Sequence, residues 1–201
     1  GMVLRPYITM APILEKNGHI VKIYDSALDG WDNRHTIDQK NDIIMIGQSD
    51  DKIANAISNF SPDIVAISVL FSNLLESAHN IARIVKKVKK DIPVILGGNH
   101  ISSAVSDYKI AKIDKNSGLP KIINDLEDEN FDLAMSGEGE FSFLELVNRL
   151  INKEDISKVP GLVKKIGHEK YLINPSTRVH DLNLLPRPAR HLVDMEAYFK
   201  I

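Results

Sequence analysis

The sequence predicts an α/β domain built as a doubly wound, mainly parallel sheet, followed by a C-terminal β-hairpin and an extended linker. Three observations carry that prediction. Short runs rich in Val and Ile alternate with longer helix-like stretches, the rhythm of parallel strands joined by helical crossovers. One run, Asp63 to Val69 (DIVAISV), is apolar almost throughout, as expected of a strand covered on both faces. From Pro160 onward the rhythm stops, and two short runs flank Gly167-His168 in the manner of a hairpin.

The elements follow in chain order. His19 to Asp25 (HIVKIYD) alternates Ile20, Lys22 and Tyr24 against Val21 and Ile23, which reads as a strand. Asp51 to Phe60 reads as a helix, Asp63 to Val69 as a buried strand, and Leu74 to Lys90 as the clearest helix of the chain. There Leu75, Ala78, Ala82, Val85 and Val88 recur at helical spacing, and Lys86, Lys87, Lys89 and Lys90 crowd the end where cations suit the helix dipole. Pro93 to Leu96 and Asp132 to Met135 are two further short strands, and Phe141 to Ile151 a helix. Residues 106–130 are polar and long for a connection, so they read as an inserted loop with one short helix around Pro120 to Leu126. Leu162 to Ile166 and Tyr171 to Ile173 form the hairpin, Leu182 to Pro188 the linker, and Ala189 to Ile201 a short terminal helix or tail. This change of texture divides the chain into an α/β domain over residues 1–157 and a hairpin with linker over residues 158–201.

Composition excludes several function classes. The net charge of -2 over 201 residues gives no field that would draw nucleic acid or an anionic membrane. No apolar run approaches the roughly 18 residues of a membrane span. The chain has no cysteine, which excludes disulfides, a thiolate nucleophile and cysteine-ligated zinc or iron–sulfur sites, and fits a cytoplasmic setting. None of the seven histidines pairs at zinc-helix spacing, so no metal ligand is assigned, and no GxSxG elbow supports a hydrolase. No catalytic residue is assigned either.

In an open parallel sheet, ligands bind beyond the carboxyl ends of the strands. Leu70-Phe71-Ser72-Asn73 follows the strand ending at Val69, Gly97-Gly98-Asn99-His100 follows Leu96, and Ser136-Gly137-Glu138-Gly139-Glu140 follows Met135. Each glycine pair alone is explained by a tight strand-to-helix turn. Two pairs at neighbouring strand ends, with Ser and Asn on the third, point to a crevice that a bulky ligand approaches closely. Neither GGNH nor GEGE matches a phosphate-cradling loop.

The succession PDIVAISVLFS, IPVILGGNHIS, FDLAMSGEGEFSFLELVNRL, VPGLV and LNLLPRPARHLVDMEAY resembles the amino-terminal, Rossmann/flavodoxin-like cobalamin-binding domain of radical-SAM enzymes. These are the relatives of anaerobic magnesium-protoporphyrin ester cyclase and of cobalamin-dependent methyltransferases, and the resemblance runs from about Arg5 to the chain's end. It implies that Ser68, Leu70, Ser72 and Asn73 line a cobalamin cleft. Gly97, Gly98, Asn99 and His100 would pass the corrin edge and nucleotide tail, and Gly137, Glu138 and Gly139 would form the next wall. It implies a radical-SAM domain in cis, binding S-adenosylmethionine and a [4Fe-4S] cluster through CxxxCxxC. With no cysteine here, that half is expected to lie outside this chain, which would not be catalytic alone. Two departures stand out. The family's opening strand precedes a stretch matched here by Arg5-Pro6-Tyr7, and its loss would leave a gap, an unpaired edge or a swapped homodimer. There is no DxHxxG histidine to sit below cobalt, since Asp25 is followed by Ser26-Ala27-Leu28. The alternative readings are a non-catalytic flavodoxin-like regulatory or interaction domain without cofactor, and an enzyme using another nucleotide cofactor.

Overall fold

A computed structural model of the chain describes residues 5–38, 43–113, 125–168 and 170–200. Its centre is a five-stranded sheet in the order β3 (Val65–Ser68), β4 (Val94–Gly97), β5 (Leu133–Met135), β6 (Leu162–Gly167) and β7 (Lys170–Ile173). β3, β4 and β5 are mutually parallel, and β6 runs against both β5 and β7, so four of the five strands point one way. The expected hairpin is therefore continuous with the sheet, registered through Ala134 opposite Val163.

Alternation along the strands sends side chains to two layers. Val94, Leu96, Ala134 and Val163 pack on one face with Ala78, Ala82 and Val85 of α4 (Leu75–Val88) and with Ile101 and Val105 of α5 (Asn99–Ile113). Ile95, Leu133, Met135 and Leu162 pack on the other with Phe143, Leu146 and Val147 of α6 (Glu140–Asn152) and Leu14 of α1 (Arg5–Lys16). Helices on both faces make the sheet doubly wound, as expected. Ile95, Leu96, Leu146 and Leu162 are fully buried, each worth roughly 1.5–3 kcal/mol of apolar transfer. α3 (Asp50–Phe60) lies against α4 and opens on Asp50 and Asp51, carboxylates placed at the positive end of the dipole.

Two expectations are corrected. His19 to Asp25 forms no strand. Its burial does alternate, with Ile20 at 88% exposure, but neither sheet hydrogen-bonds to it, and a strand without a neighbour has no ladder. Residues 106–113 are not loop but the second half of α5. Ile101, Ala104, Val105 and Tyr108 are buried at helical spacing, and Tyr108 meets Tyr171 edge-on at 6.0 Å, which carries the helix past its polar residues. The short helix expected around Pro120 to Leu126 lies mostly outside the described residues; residues 125–127 form a single 3-10 turn.

Four further elements were not expected. α1 is a helix, α2 (Ser26–Asp29) is a single turn, and β1 (Arg34–Asp38) pairs antiparallel with β2 (Ile43–Ile46) in a separate ribbon. β3 is the edge of the main sheet. At its end the Tyr7 hydroxyl accepts from the Ser68 N–H at 3.0 Å and donates to the Ser68 carbonyl at 3.2 Å. After β7 the chain folds back over α1: the Ala189 N–H donates to the Ile8 carbonyl at 2.8 Å, and His191 reaches Glu15 at 3.0 Å. It ends in α7 (Met195–Tyr198), whose Tyr198 hydroxyl donates to Asp25. No helix among the described residues is long and apolar enough to cross a membrane.

Candidate functional site

The parallel strands deliver the three predicted segments to one end of the sheet. The Val69 N–H donates to the Gly97 carbonyl at 2.8 Å, and the His100 N–H donates back to the Val69 carbonyl at 3.0 Å. This reciprocal pair joins the turns after β3 and β4. It also requires glycine at Gly98, which has φ +97°, because a Cβ there would overlap the Val69 backbone. Gly97 is different: nothing stands within 4 Å of the position its Cβ would take. The third segment joins through α5, whose Ser102 hydroxyl accepts from the Gly137 N–H at 2.9 Å.

Around this junction the side chains divide into two groups. Ser72 and Asn73 lie exposed in the 3-10 turn 72–74, beside Phe71 at 62% exposure, and Asn99 is exposed at the start of α5. Ser68 is half-buried, and its hydroxyl oxygen is enclosed without any hydrogen-bond partner. His100, by contrast, is 5% exposed with both ring nitrogens occupied, Nδ1 by Ser72 Oγ at 2.9 Å and Nε2 by Asp125 at 2.8 Å. It supports the rim from beneath.

Gly137 and Glu138 are exposed but touch the returning chain, and Gly139 faces α1. A Cβ on Gly137 would overlap Ser176, and one on Gly139 would stand 3.1 Å from Met10 Sδ. The Glu138 carboxylate accepts from the Val179 N–H at 2.6 Å, and Ser142 meets Thr177 at 3.2 Å. All three segments therefore reach one end of the sheet: Phe71, Ser72, Asn73 and Asn99 are exposed there, Val69 and His100 are buried beneath them, and Gly137 and Glu138 touch residues 176–179.

Sequence reasoning missed Asp125, His79, Tyr7 and Met10. Asp125 stood in an acidic run, His79 on a helix face, and neither carried any spacing signal. Asp25 caps α2, accepting from the N–H groups of Ala27 and Leu28 as well as from Tyr198. The Tyr198 phenol is held well above its ordinary value by burial and by Asp25. Tyr7 is raised too, by burial above all, against the lowering effect of its Ser68 contacts. Among the described residues no group of three His, Asp or Glu is placed to hold a metal ion.

The strand end has room for a large, amide-rimmed macrocycle: Gly97 presents bare backbone to open space, and the exposed Ser72, Asn73 and Asn99 offer polar groups beside it. The chain is 28% identical, over 96% of its length, to the cytidylyl-2-hydroxyethylphosphonate methyltransferase of Streptomyces wedmorensis, and spans 37% of that protein. It is 27% identical over 73% of its length to an uncharacterised methyltransferase of Pyrococcus horikoshii, of which it spans 28%. Two solved structures share the fold. The radical S-adenosylmethionine methyltransferase TsrM of Kitasatospora setae superposes with TM-score 0.60 at 16% identity, over 87% of this chain and 28% of that one. The cobalamin-dependent radical enzyme OxsB, solved with aqua-cobalamin and S-adenosylmethionine, superposes with TM-score 0.53 at 16% identity, over 77% of this chain and 19% of that one. The model of the B12 binding domain matches residues 11–119, more than half of the chain, and the chain belongs to that family.

Proposed function

We propose that this chain holds cobalamin across the ends of β3 and β4 and presents it to a radical-SAM catalytic domain of the same polypeptide. The single observation that carries the reading is the open space before Gly97 at the strand end, rimmed by the exposed Ser72, Asn73 and Asn99. Ser68, Leu70, Ser72 and Asn73 would meet the corrin from one side, and the Gly97-Gly98-Asn99 backbone from the other. His100 would act through Ser72. Gly137, Glu138 and Gly139 would hold the returning chain as the wall beyond. When bound, the cofactor supplies cobalt–carbon chemistry; this chain's residues orient it and shield it from water. The chain carries no DxHxxG motif: Asp25 is followed by Ser26-Ala27-Leu28, and its carboxylate accepts from Tyr198 and caps α2.

The two curated relatives are both named as methyltransferases, which supports methyl transfer as the activity of the whole protein. S-adenosylmethionine and a [4Fe-4S] cluster would belong to the catalytic domain. Residues 1–157 would form the cofactor module, and the stretch beyond the hairpin would lead into that domain. The test is to mix the purified chain with hydroxocobalamin, desalt it and record the visible spectrum. Retained corrin absorbance is expected; a folded chain that retains none refutes the reading.

A further inference from the structure

A continuous file of side chains runs from the rim of the crevice into the protein: Ser72, His100, Asp125, His79 and Asp128. Ser72 Oγ stands 2.9 Å from His100 Nδ1, and His100 Nε2 stands 2.8 Å from Asp125 Oδ2. Asp125 Oδ1 lies 3.6 Å from His79 Nε2, and His79 Nδ1 lies 2.5 Å from Asp128. Ser72 is exposed, the His100 side chain is 4% exposed and that of Asp125 9%, and the file nears the surface again at His79 and Asp128, at 29% and 24%.

The donor inventory gives this file a direction. A carboxylate only accepts, so Asp125 requires the proton on His100 Nε2. The Ser72 hydroxyl can then do one of two things. If His100 is neutral, Nδ1 accepts, and Ser72 spends its proton on the ring. If His100 is cationic, Nδ1 donates, Ser72 Oγ accepts, and its proton is free for the crevice.

We propose that Asp125 and His100 are positioning residues that make Ser72 a hydrogen-bond donor to an oxygen acceptor on the bound ligand, with one proton taken up at His100 on binding. This rests on the cobalamin reading, and the acceptor is an amide carbonyl or the phosphodiester of the cofactor. The charged groups facing His100 are Asp125 from the turn 125–127 and, beyond it, His79 of α4 and Asp128. Glu127, the other acid of that turn, is engaged by Lys165 at 2.5 Å and Tyr171 at 2.5 Å. His100 also sits in the first turn of α5, whose dipole opposes a cation there, so Asp125 is what stabilises the charged ring.

The test is cyanocobalamin affinity between about pH 6 and pH 8, where histidine titrates. In the unaltered chain, affinity is expected to rise severalfold per unit of falling pH, with about tenfold the limit for one linked proton. S72A and D125N should both flatten that slope. Cobinamide, which lacks the phosphodiester, separates the two acceptors: a slope it keeps assigns the amide, a slope it loses assigns the phosphate, and either supports the relay. Imidazole nitrogen NMR of the ligand-free chain gives a second readout, in which His100 Nε2 carries the proton and D125A, which removes the acceptor, releases it. A slope that survives S72A, or a His100 tautomer unmoved by D125A, overturns the proposal. S72A alters an exposed residue, so its arm is readable even where D125N fails to fold. A folded chain that binds no corrin at any pH refutes the cobalamin reading instead, and the NMR arm still decides the relay.

Discussion

The two glycine pairs, Gly97-Gly98 and Gly137-Gly139, follow adjacent parallel strands and look interchangeable on paper, but the molecule uses them in opposite ways. After β4, one glycine resolves a backbone crossing with Val69 and its neighbour faces empty space. After β5, a Cβ on Gly137 would overlap Ser176 of the returning chain, and one on Gly139 would press on Met10 of α1. One turn leaves room for a side chain at Gly97, and the other is fitted against the chain's own return and α1. The lesson is that a glycine's role depends on what occupies the space its missing Cβ vacates, and that occupant comes from elsewhere in the sequence.

The largest expected effect separates the two halves of the first pair. Gly98→Ala forces a side chain into φ +97° and onto the Val69 backbone, and should cost ~3 kcal/mol, a fall of roughly 6–12 °C in thermal midpoint. Gly97→Ala meets nothing and should leave the midpoint within ~0.5 kcal/mol, yet weaken corrin retention in the desalting assay. Equal midpoints for the two variants would erase the distinction.

Next comes Gly137→Ala, also at positive φ (+85°) but beneath an exposed segment able to shift. It should cost ~1–2 kcal/mol by denaturant unfolding, and Ser176→Gly should restore part of that loss. Smaller again is Glu138→Ala. Removing the acceptor for the Val179 N–H should cost under ~1 kcal/mol while speeding limited proteolysis within residues 174–189.

The smallest effect concerns Asp128, at the far end of the file that begins at Ser72. Burial alone would raise its carboxyl, but hydrogen bonds from His79 and from the backbone and side chain of Asn130 outweigh that and hold it below the usual carboxylate range. A depressed value contributes stability that is present above the unfolded value of about 3.9 and lost as pH falls through the folded one. The midpoints of the unaltered chain and Asp128→Asn should therefore converge from about pH 4 downward.

Much of this was legible in the sequence. The strands at Val94–Gly97 and Leu133–Met135 announced themselves because burial on both faces demands unbroken apolar runs, and the hairpin because a glycine turn separates its arms. Val65–Ser68 reads as equally apolar, but it lies at the sheet edge with Ala66 exposed, so the expected cover on both faces is incomplete. His19 to Asp25 misled because period-two alternation records which side of a segment is covered, not whether a neighbour exists to pair with it. The second half of α5 was hidden because Ser106 and Asp107 interrupt the eye while Val105 and Tyr108 keep the period. At the site, residues following strand ends could be read from position alone. Asp125 and Met10 could not, since each reaches its place through contacts distant in the chain.

Tyr7 has a consequence for how this molecule meets others. An outermost strand offers its bare amide groups to any passing extended peptide, and self-association often begins there. At the last rung of β3, one phenol already answers both the donor and the acceptor of Ser68. An incoming strand must evict that ring before it can pair with the end of β3, so a single aromatic side chain acts as the doorstop of that border.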